Sequence, residues 1–420
     1  MPYTIEDVIT GEARIKIIGV GGAGGNAVKS MIDKNLQGVS FIVANTDVQA
    51  LEDNPATVKM QLGSKLTNGL GAGADPEKGR MAAEENAQEI MSKLEGADMI
   101  FIATGMGGGT GTGASPVIAA MAKKTGALTV GVVTKPFKFE GRRRMRMAME
   151  GIRRLQEEVD ALIVIPNDRL LSNLANVSVK AAFERADQVL LNAAKGITDL
   201  INHHGYINVD FMDVRSVMMD KGRALMGTGS FKGDNAAVEA VRNAISSPLL
   251  EDVSIEGATG VLINITCPPN IPLQAISEAA MLVEDAANED ANVIWGTVFD
   301  PTLEDEVQVT IIATGFESLD QAEDSPTPPA PQKAQANFTS NMQGISKRPS
   351  QLTMNYQIQN RETGEQRRVS SREIPALRPD TCEIAPMNET RPATPVGQSD
   401  LSQPAYLRRL NTQVNQPPVS

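Results

Sequence analysis

The chain has 420 residues, of which 41% are apolar and only 4% aromatic, so its cores must rest on aliphatic side chains and on its 19 methionines. A formal net charge of −12 opposes unspecific attraction to nucleic acid or to anionic lipid, and the length predicts two domains of ordinary size with a tail. The two cysteines, Cys267 and Cys382, lie too far apart in the sequence to read as a disulfide framework; no apolar run reaches the ~18 residues that cross a bilayer, and the opening residues lack the pattern of a secretory signal. The expectation is a cytoplasmic protein without membrane insertion.

After a flexible N-terminus at 1–11, the apolar run 13–20 reads as a buried strand that enters a glycine turn, and the stretch from Asn26 onward has helical spacing. Further strand-like runs follow at 39–44, 99–103, 128–133 and 161–165, with helix-like stretches such as 76–94 and 115–124 between them. Strands alternating with helices predict a parallel sheet covered on both faces, a Rossmann-like α/β domain over 12–178. A long helical period over 179–203 then reads as a central helix within a connecting segment, 179–227. From 228 to 315 the pattern is mixed, with helices at 234–246 and 273–288 and strands at 260–266, 293–299 and 307–314. Beyond it, 316–399 is rich in Pro, Gln, Ser, Thr and Asn and reads as a disordered linker. The last segment, 400–420, carries a short apolar and basic island, Pro404-Ala-Tyr-Leu-Arg-Arg409, with the character of a docking peptide anchored by Tyr406 and Leu407.

Three segments carry candidate chemistry. The first, Gly19-Val-Gly-Gly-Ala-Gly-Gly-Asn26, holds Gly19-x-Gly21-x-x-Gly24 between a strand and a helix, where backbone N–H groups can approach a phosphate at the positive end of the helix. With Asp47 after the second strand, this part alone suits a dinucleotide site, and an oxidoreductase is the rival reading. The second, 105–113, has six glycines and two threonines in nine residues, a nest of donors for two or three phosphates. The third, Gly69-Leu-Gly-Ala-Gly-Ala-Asp-Pro76, ends in an Asp75-Pro76 helix start. Three such loops exceed what a dinucleotide needs and suit a nucleoside triphosphate with its metal ion, and the absence of Gly-x-x-x-x-Gly-Lys-Ser/Thr excludes a P-loop.

These loops, with Asn45-Thr-Asp47, Lys135-Pro-Phe-Lys-Phe-Glu-Gly141, Ile165-Pro-Asn-Asp168, Asn208-Val-Asp-Phe-Met-Asp213 and Ala244-Ile-Ser-Ser-Pro-Leu-Leu-Glu251, closely resemble the FtsZ family, bacterial relatives of tubulin, over about residues 12–315. The resemblance implies GTP and GDP as ligands, Mg²⁺ held mainly through the GTP phosphates with a monovalent cation as a further candidate, GTPase activity, and head-to-tail filaments that form the division ring at mid-cell. It assigns nucleotide contact to Gly21, Gly22, Ala23, Gly24, Gly25 and Asn26 of the first loop, to Asn45 and Asp47, and to Gly71, Ala72 and Gly73. On the second loop it assigns Gly105, Gly107, Gly108, Gly109, Thr110, Gly111 and Thr112. Glu140 and Arg144 take the ribose positions, and Asn167, Phe183 and Asp187 surround the guanine. A carboxylate at 187 can accept the two adjacent N–H donors that guanine presents and adenine does not.

Glycine and threonine offer donors but no strong acceptor, so the phosphate loops cannot orient a hydrolytic water. Asp210 and Asp213 lie three residues apart and share a face if a helical turn begins there. In the family this loop inserts into the nucleotide site of the adjoining subunit, so the resemblance makes Asp210 and Asp213 catalytic, with Asn208 at the phosphates. The plain alternative is that Asp213 only caps a helix and Asp210 only belongs to a turn; a filament that binds nucleotide without turning it over also stays open. The resemblance further expects membrane-tethering and regulatory proteins to dock on 400–410, and the chain is not expected to bind nucleic acid: the arginines at 142–146 read as a solvated helix start.

Overall fold

A computed structural model of the chain describes residues 13–171, 177–202, 207, 209–250 and 255–316, together with the backbone of 355–360, 366–370 and 382–385. Six strands, β1 (Ile15–Val20), β2 (Val39–Asn45), β3 (Val58–Gln61), β4 (Met99–Gly105), β5 (Leu128–Lys135) and β6 (Ala161–Pro166), pair in parallel in the order β3-β2-β1-β4-β5-β6. Alternate side chains go to opposite faces. Ile17, Phe101, Val130 and Ile163 enter one core with α1 (Gly21–Asp33) and α8 (Val179–Asn202). Ile18, Ile100, Ile102 and Val164 enter the other, under α4 (Pro76–Glu85), α5 (Ala87–Leu94), α6 (Thr110–Lys124) and α7 (Arg142–Gln156). Each fully buried aliphatic side chain contributes roughly 1.5–3 kcal/mol, so strands apolar on both faces are what this layering demands. The short helices α2 (Val48–Glu52) and α3 (Ser64–Thr67) complete this half.

The sheet does not stop at β6. Strand β7 (Gly222–Lys232) continues it in parallel through Ala161↔Gly222, and β10 (Glu306–Thr314) lies antiparallel between β7 and β8 (Gly260–Cys267), with β9 (Asn292–Phe299) at the far edge. Ten strands thus form one sheet, whose second half has its own core beneath α10 (Ala236–Ile245) and α11 (Leu273–Ala286). The sequence pattern conceals β7 because Gly227 and Gly229 interrupt its apolar character. Both are required by packing: a Cβ at Gly227 would lie 2.2 Å from Ala244 O, and one at Gly229 2.1 Å from Ala240 O. Helix α8 runs unbroken through Gly196, where a Cβ would come 2.8 Å from Thr310 Cγ2 and where Asn264 Nδ2 donates to the Gly196 carbonyl at 3.1 Å.

Two helix starts and one helix length differ from the sequence reading. Helices α1 and α6 begin at Gly21 and Thr110, five residues ahead of Asn26 and Ser115, so the glycine runs themselves form the first turns and Pro116 lies inside its helix. Glycine's poor helix propensity hides these turns; the packing that compensates is visible at Gly113, whose Cβ would sit 1.8 Å from Pro76 O. The stretch 76–94 is two helices, divided at Asn86, whose side-chain oxygen accepts the Gly63 N–H at 2.8 Å. Helix α9 (Phe211–Met218) follows α8. Among the described residues no helix is long and apolar enough to cross a membrane.

Residues 331–420 form a separate unit. Within it β11 (Asn355–Asn360), β12 (Gln366–Ser370) and β13 (Cys382–Ala385) pair antiparallel in the order β12-β11-β13. These strands fall inside the stretch whose composition reads as linker, where Tyr356 and Ile358 alternate with Gln357 and Gln359 at the strand period. The segment 400–410, expected as a docking peptide, lies outside the described residues.

Candidate functional site

At the carboxyl ends of β1, β4 and β5 a cavity of about 220 Å³ opens. The strand order reverses between β1 and β4, the crevice where open α/β sheets take ligands. Gly22 and Ala23 line it from the start of α1, and Gly105, Gly108, Gly109, Thr110 and Gly111 from the loop and first turn of α6. A Cβ at Gly22 or Gly108 would meet nothing within 4 Å, so bare backbone there faces open space and leaves room for a ligand. Other glycines serve packing: a Cβ on Gly19 would lie 2.3 Å from Gly24 O, and one on Gly24 2.3 Å from Ala103 O. Gly21, at φ +71°, sits where a Cβ would be 2.9 Å from Gly111 N, which brings the two phosphate-loop candidates together.

Several residues expected at the ligand hold these loops in shape. Thr112 is buried, and its Oγ1 accepts the Gly107 N–H at 2.8 Å. The hydroxyls of Thr46 and Thr110 are 2.7 Å apart, the Gly71 N–H donates to Thr46 O at 3.2 Å, and Ala72 and Asp75 back onto Gly109. Asp47 caps α2 by accepting the Gln49 N–H at 3.0 Å, and the buried Asn45 accepts from the Asp47 N–H at 3.3 Å. Gly25 O accepts from Asn54 Nδ2 at 2.7 Å. Asn26 is exposed and lines an adjoining groove that shares Asp187 with the cavity, while a Cβ on Gly73 would meet nothing. The residues that line the cavity in the single chain do not include Gly21, Gly24, Gly25, Asn26, Asn45, Asp47, Gly71, Ala72, Gly73, Gly107 and Thr112.

Glu140, Arg144, Asn167, Phe183 and Asp187 do line it, although they come from four different elements. Glu140 accepts the Phe137 N–H at 2.9 Å and pairs with Arg144 at 2.7 Å, so it is held by its neighbours. Phe183 meets Phe137 edge-on at 5.3 Å, and Phe137 stacks on Phe139. Asn167 is buried and its Oδ1 has no hydrogen-bond partner, a cost of about 1–3 kcal/mol that a donor from a ligand would remove. Burial, reinforced by the Glu184 carboxylate, pushes the Asp187 carboxyl up to about 7. One end of the cavity thus offers the unsatisfied Asn167 Oδ1 and the Asp187 carboxyl beside an aromatic edge, and the other offers backbone donors at the positive ends of two long helices. This donor and acceptor set fits a purine nucleotide. Thr134, near the end of β5, and Pro136, just beyond it, also line the cavity; their position at the carboxyl end of a strand next to β4 is the signal that would have identified them.

Asp210 and Asp213 stand elsewhere. Asp210 is the N-cap of α9 and Asp213 its third residue: the Asp213 N–H donates to Asp210 Oδ1 at 2.8 Å, and the Asp210 N–H to Asp213 Oδ2 at 3.3 Å. Both are exposed, as is Met212 between them, and none lines the cavity. Asn208 lies outside the described residues. The capping geometry satisfies the plain alternative with the roles exchanged, since Asp210, not Asp213, is the cap. Capping consumes one oxygen of each carboxylate and leaves the other free. Among the described residues no group of three or more His, Cys, Asp or Glu side chains could hold a metal ion.

The model of the Tubulin/FtsZ family GTPase domain matches residues 14–175, and that of the FtsZ family C-terminal domain matches residues 222–317. The cell division protein FtsZ of Pseudomonas aeruginosa is 54% identical over 315 residues, 75% of this chain and 80% of that protein. Among solved structures, an FtsZ dimer from M. jannaschii superposes with a TM-score of 0.71 at 45% identity, over 73% of this chain and 89% of that one. A GTPγS-bound protofilament of CetZ2 from Haloferax volcanii, at 23% identity and a TM-score of 0.62 over 74% and 99% of the two chains, shares the fold.

Proposed function

The chain belongs to the FtsZ family, and we propose that it binds GTP in the cavity between β1 and β4, assembles head to tail, and hydrolyses GTP only where a second copy supplies Asp210 and Asp213. The observation that carries this reading is a mismatch within one chain. The cavity has a full set of phosphate donors, yet its two acids, Glu140 and Asp187, are respectively held by Arg144 and set beside Phe183, while a rigid exposed pair of carboxylates stands on α9 outside it.

In this reading, backbone N–H groups at Gly22 and from Gly108 to Gly111 donate to the phosphate oxygens, with the helix dipoles of α1 and α6 behind them. Asp187 and Asn167 accept N–H donors of guanine, Phe183 covers the base, and the Glu140–Arg144 pair meets the ribose. Mg²⁺ entering with the nucleotide would supply neutralisation of the phosphate charge, and no cluster of side chains among the described residues would be needed to hold it. The free oxygens of Asp210 and Asp213 accept hydrogen bonds from water and align it with the γ-phosphorus; Asn208 contacts the phosphates from the same loop. The capping box fixes the pair with no further ordering cost when the copies meet. The remaining features of the family reading belong to the same proposal: a monovalent cation as an assembly ion, docking of membrane-tethering and regulatory proteins on 400–410, and a ring at the division site. The formal net charge of −12 argues against nucleic acid as a partner.

Complementation between two inactive variants tests the shared site. Asp213→Ala keeps its cavity, and Gly108→Val keeps its acids while a side chain fills the ligand space. Each alone should release no phosphate from GTP; mixed in equal amounts, they should regain a measurable fraction of wild-type turnover. If the mixture stays inactive while Asp213→Ala still binds GTP and polymerises, the acids do not act across copies.

A further inference from the structure

The capping box makes Asp210 and Asp213 rigid within α9, but it does not fix α9 to the rest of the chain. That helix has eight residues, about 12 Å of length, and is too short to persist on its own hydrogen bonds, so its tertiary contacts aim it. Val214, Val217 and Met218 are buried in the core, and apolar burial is non-directional. A directional contact stands at the last turn. Thr314, fully buried at the end of β10, donates from Oγ1 to Val217 O at 2.7 Å; Gly260 O, at 3.3 Å, is the more distant acceptor. Val217 O is one of the four carbonyls that a helix end leaves without an intrahelical partner, while the Met219 N–H closes on Arg215 O at 2.8 Å. Gly260 in β8 makes room for this junction, since a Cβ there would stand 2.8 Å from Thr314 Oγ1 and 3.0 Å from Val217 Cγ1. Ser216 Oγ, beside the junction, donates to Asp213 O at 2.7 Å and lies 3.5 Å from Asn292 Nδ2 at the start of β9.

We propose that Thr314 is a positioning residue for GTP hydrolysis: its hydroxyl, bonded to Val217 O, sets the direction of α9 and thereby the placement of Asp210 and Asp213 in the cavity of the adjoining copy. The inference rests on the shared-site reading above and adds which residue of the second half of the sheet serves it. Asp213 lies one helical turn, ~6 Å, from Val217, so a shift at the junction is carried to the acids by a helix and not absorbed in a loop. Reacting groups displaced by ~1 Å lose up to about 100-fold in rate, so a small change of direction is sufficient to be measured. Thr314 does not line the cavity, so the nucleotide of its own chain does not meet it. The plain alternative is that the hydroxyl only satisfies a buried carbonyl. The two roles differ in where they are felt. A loss of fold stability weakens whichever chain carries the change, whereas a loss of aim matters only in the chain that gives the acids.

The mixture of Asp213→Ala, which offers a cavity, with Gly108→Val, which offers acids, separates these roles because its productive contact has a known donor on each side. Thr314→Val, of nearly the same shape without the hydroxyl, is added to one partner at a time, and phosphate release from GTP is read per sedimented subunit. In the acid-giving chain it should lower release at least fivefold; in the cavity-giving chain release should stay within 1.5-fold. Thr314→Ser, which keeps the hydroxyl, should retain at least half of the release in the acid-giving chain. If Thr314→Val does not fold, Gly260→Ala, whose Cβ presses on both Thr314 and Val217, is read in the same mixtures with the same expectation. Equal losses in the two arrangements, or no loss in the acid-giving chain, would overturn the role of Thr314 while the shared site stands. An inactive parent mixture would overturn the shared site and this inference with it.

Discussion

Asp187 provides a test in which acidity reports on base recognition. Its carboxyl sits at about 7 because burial and Glu184 disfavour the charged form, yet guanine needs that charged form as a double acceptor. An acid with a raised value is protonated below it, so affinity is complete above pH 7 and is lost as pH falls through 7. If only the carboxylate form binds, the apparent Kd rises by a factor of about 1 + 10^(7 − pH), roughly 1.1-fold at pH 8, 2-fold at pH 7 and 11-fold at pH 6. That tenfold span corresponds to about 1.4 kcal/mol. Calorimetric titration with GDP avoids polymerisation, and Asp187→Asn, which keeps an acceptor but cannot titrate, corrects for protonation of the phosphates. The ratio of wild-type to variant Kd should rise about tenfold from pH 8 to pH 6. The same raised value means that ionising Asp187 costs the fold stability as pH rises through 4 to 7, so Asp187→Asn should melt higher than wild type at pH 8. A Kd ratio flat across this range would refute the assignment of Asp187 to guanine.

Gly24→Ala should destabilise the fold by about 1–3 kcal/mol in denaturant titration, since its Cβ would lie 2.3 Å from the Ala103 carbonyl, whereas Gly108→Val should abolish nucleotide binding with stability unchanged. Thr112→Val removes the buried acceptor of the Gly107 N–H and should cost about 1–3 kcal/mol, with weaker GTP binding as the loop loosens. Asp210→Ser separates capping from catalysis: serine caps a helix nearly as well, so unfolding should shift by less than about 0.5 kcal/mol while phosphate release is lost; retained turnover would reduce Asp210 to a cap.

The sequence was most informative where burial forces apolar character on both sides of a strand. Ile17 and Ile18, or Phe101 and Ile102, face opposite cores, and such runs have no competing explanation. It was least informative where glycine does structural work. The first turns of α1 and α6, and the whole of β7, contain glycines demanded by backbone approach, and a local propensity reading takes them for loops. The site divides in the same way. Glu140, Arg144, Asn167, Phe183 and Asp187 carry no common local signal and were reached only through resemblance, yet they converge on one cavity. Glycine patterns identified the loops but could not separate Gly22 and Gly108, which face open space, from Gly19 and Gly24, which face neighbouring carbonyls. In the single chain Asp210 and Asp213 form a helix cap, and the proposed site between two copies would not be displayed there.

Phosphate release from GTP as a function of protein concentration, for wild type and Asp213→Ala, addresses the shared site most directly. Turnover per subunit should be negligible at low concentration and rise above a threshold, with the variant binding GTP but releasing no phosphate at any concentration. Turnover per subunit that is independent of concentration would mean that each chain holds a complete site, and would contradict hydrolysis between copies.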